Sequence, residues 1–228
     1  MSKKTVVISL GGSLIVPQEI DVSFLKKFRK LILNFVKRGN RVIIVCGGGK
    51  ICRKYNAAAE RVFKGVSDVD LDWLGITATR LNAELLRVVF GNKAHEEVLP
   101  NPNKKVRTNR RILIGAGFVP GSSSDKDAVL LAKAYNSETV INLTNVDYVY
   151  NKNPKKFKNA KPLKSISWSQ FLKIVGNKWD PGANVPFGPP AAKLAQKLKI
   201  KVVIAKGSNL ANLTKVLQNK SFVGTVIT

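Results

Sequence analysis

Residues 41–55 read RVIIVCGGGKICRKY. The first six are almost all β-branched and apolar, without alternation. That is the pattern of a strand buried on both faces, hence of a parallel sheet. Three glycines follow at once. In open α/β sheets, ligands bind at the carboxyl ends of the strands. Glycine lets the backbone approach a phosphate and point N–H groups at it. Working outward, the same kind of apolar run recurs as KTVVISL (4–10), RRILIGA (110–116), ETVINL (138–143), KVVIA (201–205) and VGTVI (223–227). Helical patterns lie between them. Val22 to Lys37 puts Phe24, Leu25, Phe28, Leu31, Ile32 and Phe35 on one face. Leu71 to Phe90 places Leu74, Ala78, Leu81, Leu85 and Val89 at helical spacing, and Asp125–Tyr135, Pro189–Lys199 and Asn209–Leu217 follow. Strand alternating with helix predicts an α/β fold, an open and mostly parallel sheet sandwiched by helices in three αβα layers.

The chain has 228 residues, 44% hydrophobic and 23% charged, which is enough for one large α/β domain with a packed core. Its 39 Lys+Arg against 14 Asp+Glu give a net charge of +25. That balance suits anionic partners, nucleotides or nucleic acid among them, and says nothing about fold. Cys46 and Cys52 form neither a disulfide framework nor a zinc pattern, and His95 is the one histidine. No signal-peptide stretch and no membrane-length apolar run is present, so a soluble, cytoplasmic protein is expected. His95 reads as an exposed loop residue. The segment NKWDPGANVPFGPP (177–190) is a long Pro/Gly-rich loop of the kind that often carries function.

Three strands run into glycine-rich turns: LGGS (10–13), CGGGKICRKY (46–55) and GAGFVPGSSSDKDA (115–128). Neither GxxxxGK[ST] nor GxGxxG is matched, so this is not a standard P-loop or dinucleotide fingerprint. Together the turns point to a polyphosphate ligand. Ser122, Ser123 and Ser124 before Asp125 read either as a helix cap or as hydroxyls facing a phosphate. Arg53, on the first turn after the triple glycine, suits a bidentate phosphate contact or a plain surface position. Asp72 and Arg80, on the long helix, read locally as solvated charges.

The motifs in series, SLGGS, CGGGKICRKY, LDWLGITATRLNAELL, PGSSSDKDAVLLA, NLTNVDYVYNKNPKK, PPAAKLAQ and a terminal GT, resemble the amino-acid kinase family and, within it, the archaeal-type uridylate (UMP) kinases. The resemblance spans residues 5 to 227. It implies ATP:UMP phosphotransfer giving UDP and ADP in pyrimidine nucleotide synthesis, with ATP as co-substrate and Mg²⁺ carried by the ATP phosphates rather than by a dedicated protein site. It implies that Gly11, Gly12, Gly47, Gly48 and Gly49 line the transfer channel. Arg53 would contact the UMP phosphate and Asp72 the ribose, with Gly121, Ser122, Ser123 and Ser124 also facing UMP. Asp125 and Lys193 would serve catalysis. Gly12, Ser13, Thr144, Asn145, Asp147, Tyr150, Asn153 and Lys155 would surround ATP. It further implies a single domain, with residues 1–137 as the acceptor lobe and 138–228 as the ATP lobe, assembled as a homohexamer, a trimer of dimers.

Departures from the family pattern accompany this. Ser9 stands where the broader family often has lysine. Gly188 replaces the acid of a DPxAAK-like segment, and Asp180 is a candidate substitute. Tyr148, Asn151 and Asn153 replace a glycine and two acids. If that glycine needs positive φ, Tyr148 is strained; if it only leaves room, Tyr148 covers the adenine site. Two other readings stay open. One is a related kinase acting on carboxylates, carbamate or isoprenoid phosphates. The other is a weak or inactive homologue that senses nucleotides or binds nucleic acid.

Overall fold

A computed structural model of the chain describes residues 3–154, 156–176 and 185–228. Five parallel strands form most of one sheet: β1 (Thr5–Leu10), β2 (Arg41–Cys46), β3 (Ile112–Gly115), β4 (Thr139–Thr144) and β8 (Lys201–Lys206). Beyond β8 come β9 (Thr225–Ile227), antiparallel to it, and β7 (Ser165–Ile166), so the order is β3-β2-β1-β4-β8-β9-β7. A two-stranded hairpin of β5 (Val149–Tyr150) and β6 (Pro162–Leu163) stands apart.

Alternation along the strands feeds two cores. Val6, Ile8 and Leu10 pack with helices α2 (Val22–Lys37), α4 (Asp68–Phe90) and α8 (Leu210–Leu217) on one face. Val7, Ile43 and Val45 pack with α5 (Ser124–Ala134), α6 (Trp168–Val175) and α7 (Pro189–Lys197) on the other. The α2 stripe is as expected from spacing: Phe24, Leu25, Phe28, Ile32 and Phe35 are buried. The chain winds β1-β2-β3 to one side and β4-β8 to the other. The topological switch point therefore lies between β1 and β4, where Ser9 pairs in register with Asn142.

Four features differ from expectation. The long helix turns a partly different stripe inward: of the expected residues Ala78 is buried, while Leu74, Leu85 and Val89 are only partly so. Ile76, Thr79, Ala83, Leu86 and Phe90 are buried, whereas Leu81 is 62% exposed. α4 carries apolar residues on more than one face, and periodicity alone does not choose which meets the sheet. Helix α3 (Gly49–Val62) follows the triple glycine although no stripe announces it; none of its residues is buried, and it lies on α4 rather than on the sheet. A short helix α1 (Gly12–Ile15) opens within LGGS. His95 is half-buried rather than exposed, 3.0 Å from the Glu96 carboxylate.

Candidate active site

The first two glycine turns pack directly against each other. Gly47 N–H donates to Leu10 O at 2.9 Å and Gly11 N–H to Leu143 O at 3.2 Å, tying the exits of β1, β2 and β4 together. A Cβ on Gly12 would lie 2.6 Å from Gly49 N and 2.7 Å from Gly48 C. Gly49 has φ +64 and faces the Gly12 backbone in return. Glycine here is required by close approach on one side and by backbone conformation on the other.

Helix α4 fastens the turns from the side. Asn82 Nδ2 donates to Gly47 O at 2.8 Å. Thr79 Oγ1 accepts from Gly117 N–H at 2.8 Å while its own hydroxyl goes to Ile76 O. Asp72 Oδ2 accepts from Gly121 N–H at 2.7 Å, and Gly121 has φ +72. The block LGITATRLNA thus works through Thr79 and Asn82, both buried, which sequence reading did not single out. Their side chains matter because of where two distant loops arrive, which no local pattern reveals.

Asp125 sits at the switch point, on the first turn of α5. Ser9 Oγ–H donates to its Oδ1 at 3.0 Å, and the Gly188 N–H approaches its Oδ2 at 3.3 Å. The residue keeps some accessible surface, yet the carboxyl itself is enclosed by protein. Burial pushes its pKa up to about 6, opposed by those two hydrogen bonds. Ser9 and Gly188 are therefore the groups that orient this carboxylate. The β4 side chain Asn142 donates to Pro186 O and holds the segment that brings Gly188 in. Lys193 is exposed on α7, the helix that Gly188 caps.

A second acid, Asp127, has no accessible surface. Its Oδ1 accepts from Ser122 Oγ–H at 2.9 Å, while Oδ2 is buried without a partner. Burial raises its pKa to about 6, with the hydrogen bond to Ser122 opposing. Ser123 caps α5 through Lys126 N–H at 3.2 Å. Ser124 Oγ borders the space beside Gly47. Arg53, on α3, reaches Ser13 Oγ at 3.4 Å, so the first and second turns meet there too.

The β4 exit is built differently. Thr144 O accepts from Gly207 N–H at 2.8 Å, Thr144 Oγ1 bonds Asn145 Oδ1 at 3.3 Å, and Asp147 lies 4.0 Å from Lys206 Nζ. Tyr148 is not among the residues with positive φ, so the backbone there is unstrained. Its ring meets Tyr150 edge-on at 6.4 Å between centroids. Asn151 closes the β5–β6 hairpin: its Oδ1 accepts from Lys161 N–H at 2.8 Å. Asn153 O accepts from Lys156 and Phe157 N–H groups at 3.1 and 3.0 Å. Lys155 and Asp180 lie outside the described residues.

The three fastened turns thus meet at the sheet switch point beside the Asp125 carboxylate. The Amino acid kinase family pattern matches residues 4–206. The chain belongs to that family. Among curated members of the family, a uridylate kinase of Thermococcus kodakarensis is 34% identical over 225 residues, covering 97% of this chain and 98% of the relative. One from Thermoplasma volcanium is 32% identical over 228 residues, covering 98% and 97%. The crystal structure of uridylate kinase from Archaeoglobus fulgidus superposes with a TM-score of 0.81 at 34% identity, covering 98% of this chain and 99% of that one. For an amino acid kinase family member, Asp127 is the residue that sequence reading passed over. The spacing Asp125-Lys126-Asp127 was its one visible signal.

Proposed function

We infer that the chain is a UMP kinase, transferring the γ-phosphoryl group of ATP to UMP to give UDP and ADP in pyrimidine nucleotide synthesis. The observation that carries this is the match to uridylate kinases at 32–34% identity over essentially the whole length of both chains. Phosphoryl transfer needs positioning and charge neutralisation more than covalent help. The amides of Gly12, Gly48 and Gly49 would cradle the transferring group, with Gly11, its own N–H tied to Leu143 O, lining the channel beside them. Arg53 would hold the acceptor phosphate and Asp72 the ribose, with Gly121, Ser122, Ser123 and Ser124 around them. Lys193 would neutralise charge from α7, and Asp125, oriented by Ser9 and Gly188, would organise the centre. Ser13, Thr144, Asn145, Asp147, Tyr150, Asn153 and Lys155 would enclose ATP. Residues 1–137 would thus serve the acceptor and 138–228 ATP.

Mg²⁺ would enter on the ATP phosphates and neutralise their charge. The donor set fits that, since Mg²⁺ commonly takes one or two protein carboxylates plus phosphate oxygens, and Asp125 offers one carboxylate at the switch point. A cytoplasmic homohexamer is the proposed setting. Tyr55, Val62, Phe63, Trp73, Leu81 and Val88 are exposed along the α3–α4 pair, Val62 at 89%. Apolar surface of that kind suits coverage by a second copy. Sedimentation equilibrium of the free chain as a monomer would overturn that part. A homologue reduced to sensing nucleotides or binding nucleic acid is not favoured, because Asp125 retains two hydrogen-bonding partners at the switch point. ADP release, coupled and measured with UMP, CMP and no acceptor, tests the whole reading. UMP-dependent turnover is expected; turnover absent at high enzyme concentration with both nucleotides bound would sink it.

A further inference from the structure

Asp127 is an expensive residue. A carboxylate without any accessible surface loses its hydration, a cost of several kcal/mol unless it is offset. Its neighbours Ala128 and Val129 are buried apolar residues of the same helix, so an alanine at 127 would suit the surroundings. An acid in the first turn of a helix is ordinarily there to face the helix N-terminus. Asp127 does something else: its hydrogen bond goes backward, to Ser122 in the turn that precedes the helix.

That turn is held at three places by side chains outside it. Thr79 takes the Gly117 N–H and Asp72 the Gly121 N–H, both from α4. Asp127 takes Ser122 from beneath, from α5. Within 117–122 the backbone ties Ser122 N–H to Val119 O at 3.2 Å. Removal of the α5 anchor frees the Ser122 end and leaves the turn held from α4 alone. The Ser122 hydroxyl is also fixed in sense. With its proton given to Asp127, it offers a ligand only lone pairs, so it accepts from a hydroxyl or N–H rather than donating to a phosphate.

We propose that Asp127 is a positioning residue for the phosphoryl acceptor, acting through Ser122. The inference rests on the UMP reading above for the identity of the acceptor. It concerns hydrogen-bond acceptance at Oδ1, so the charge of Asp127 is dispensable and its acceptor oxygen is not.

The test compares Asp127→Ala with Asp127→Asn in the full chain, using calorimetric titration with UMP and steady-state ADP release. Asp127→Ala is expected to weaken UMP binding and raise the UMP KM by about ten-fold, the scale of one charged hydrogen-bond partner. The ATP KM and kcat should stay within about three-fold. Asp127→Asn keeps an acceptor oxygen and should stay within about three-fold of the unmutated chain in UMP affinity. UMP and ATP constants that rise together in the alanine variant would mean a merely structural role. An asparagine variant as poor as the alanine one, or an alanine variant with unchanged UMP affinity, also overturns the proposal. If the alanine variant does not fold, Ser122→Ala removes the same contact from the loop side, and unchanged UMP affinity there overturns it. An unmutated chain that binds UMP without turnover breaks the kinase reading and leaves this comparison intact; one that does not bind UMP breaks both.

Discussion

The turn at 117–122 and the turn at 144–153 leave the carboxyl ends of β3 and β4 in the same sheet, yet they are held by different means. Side chains of α4 and α5 reach into the first: Thr79, Asp72 and Asp127 each bond to its backbone or to Ser122. The second is tied to the sheet at Thr144 by Gly207 and at Val149 by Thr225, and the rest of it is held by its own chain. Asn151 bonds across its hairpin, Tyr148 meets Tyr150, and the Asn153 carbonyl closes a turn on Lys156 and Phe157. An anchor from a packed helix fixes position relative to the sheet. A self-closing turn fixes shape alone. The difference teaches that the proposed acceptor side is the rigid half of the crevice, and that substitutions in the two halves should differ in scale.

The largest effect is expected at the point where the halves meet. Asp125→Asn removes the enclosed charge but keeps an oxygen for Ser9 Oγ–H or the Gly188 N–H. Turnover should fall by about 10³-fold or more while the fold persists; unchanged rates would remove Asp125 from the centre. The pH dependence of stability sharpens this. Asp125 and Asp127 both have folded pKa values near 6, above the ordinary aspartate range, because of burial. The folded state then binds protons more tightly than the unfolded chain. Each acid thus favours folding at low pH, and that contribution fades as pH rises from about 4 through about 6. Urea unfolding of the free chain should lose stability across that window, on the order of 2 kcal/mol per group. Replacing both acids with asparagine should flatten the slope, and a slope that survives the double replacement would place its source elsewhere.

Next comes the contact between the two glycine turns. Gly12→Ala sets a methyl group against Gly48 and Gly49 backbone atoms, where no flexible side chain is available to yield. Overpacking of that kind costs about 1–3 kcal/mol. A displacement of the turns by about an ångström lowers kcat by about 10²-fold. Because α4 holds the second turn through Asn82, the displacement should fall on the first. Both UMP and ATP constants should move, which separates this variant from Asp127→Ala. A Gly12→Ala chain with ordinary melting temperature and kinetics would mean that the turns have room the packing does not show.

How much of this the residues announce depends on range. β2 is legible from RVIIVC because burial on both faces leaves an apolar run, and β4 from ETVINL although Asn142 interrupts it. The core stripe of α2 is legible for the corresponding helical reason. α3 is not, since GKICRKYNAAAERV presents no buried residue and therefore no stripe. Leu81 misleads because exposed apolar surface looks like core in a linear reading. At the site, Asp125 and the glycine turns stand out as residue types. Thr79, Asn82 and Asp127 do not, because what they do depends on loops that return to them from elsewhere in the chain. Gly188 is the sharpest case. Judged by residue type it is a missing acid, and in the fold its backbone N–H is the second ligand of the Asp125 carboxylate.

The smallest effect is expected at Tyr148, in the self-closing half. Its φ is not positive, so reverting it to the family's glycine relieves no backbone strain. What the substitution removes is one edge-on ring contact with Tyr150, worth about 0.5–1.5 kcal/mol, together with some unfolded-state restriction. The neighbouring Val149 N–H stays on Thr225 Oγ1 at 2.8 Å and keeps β5 in place without the ring. Tyr148→Gly should therefore lower the melting temperature slightly and change the ATP KM by less than about three-fold, with UMP constants unaffected. A drop of ten-fold or more in ATP KM would show that the ring occupies the nucleotide's own space. A comparable rise would show that the ring is part of the wall against which ATP packs. Either result would make the β4 exit as demanding of its side chains as the turn that α4 and α5 hold.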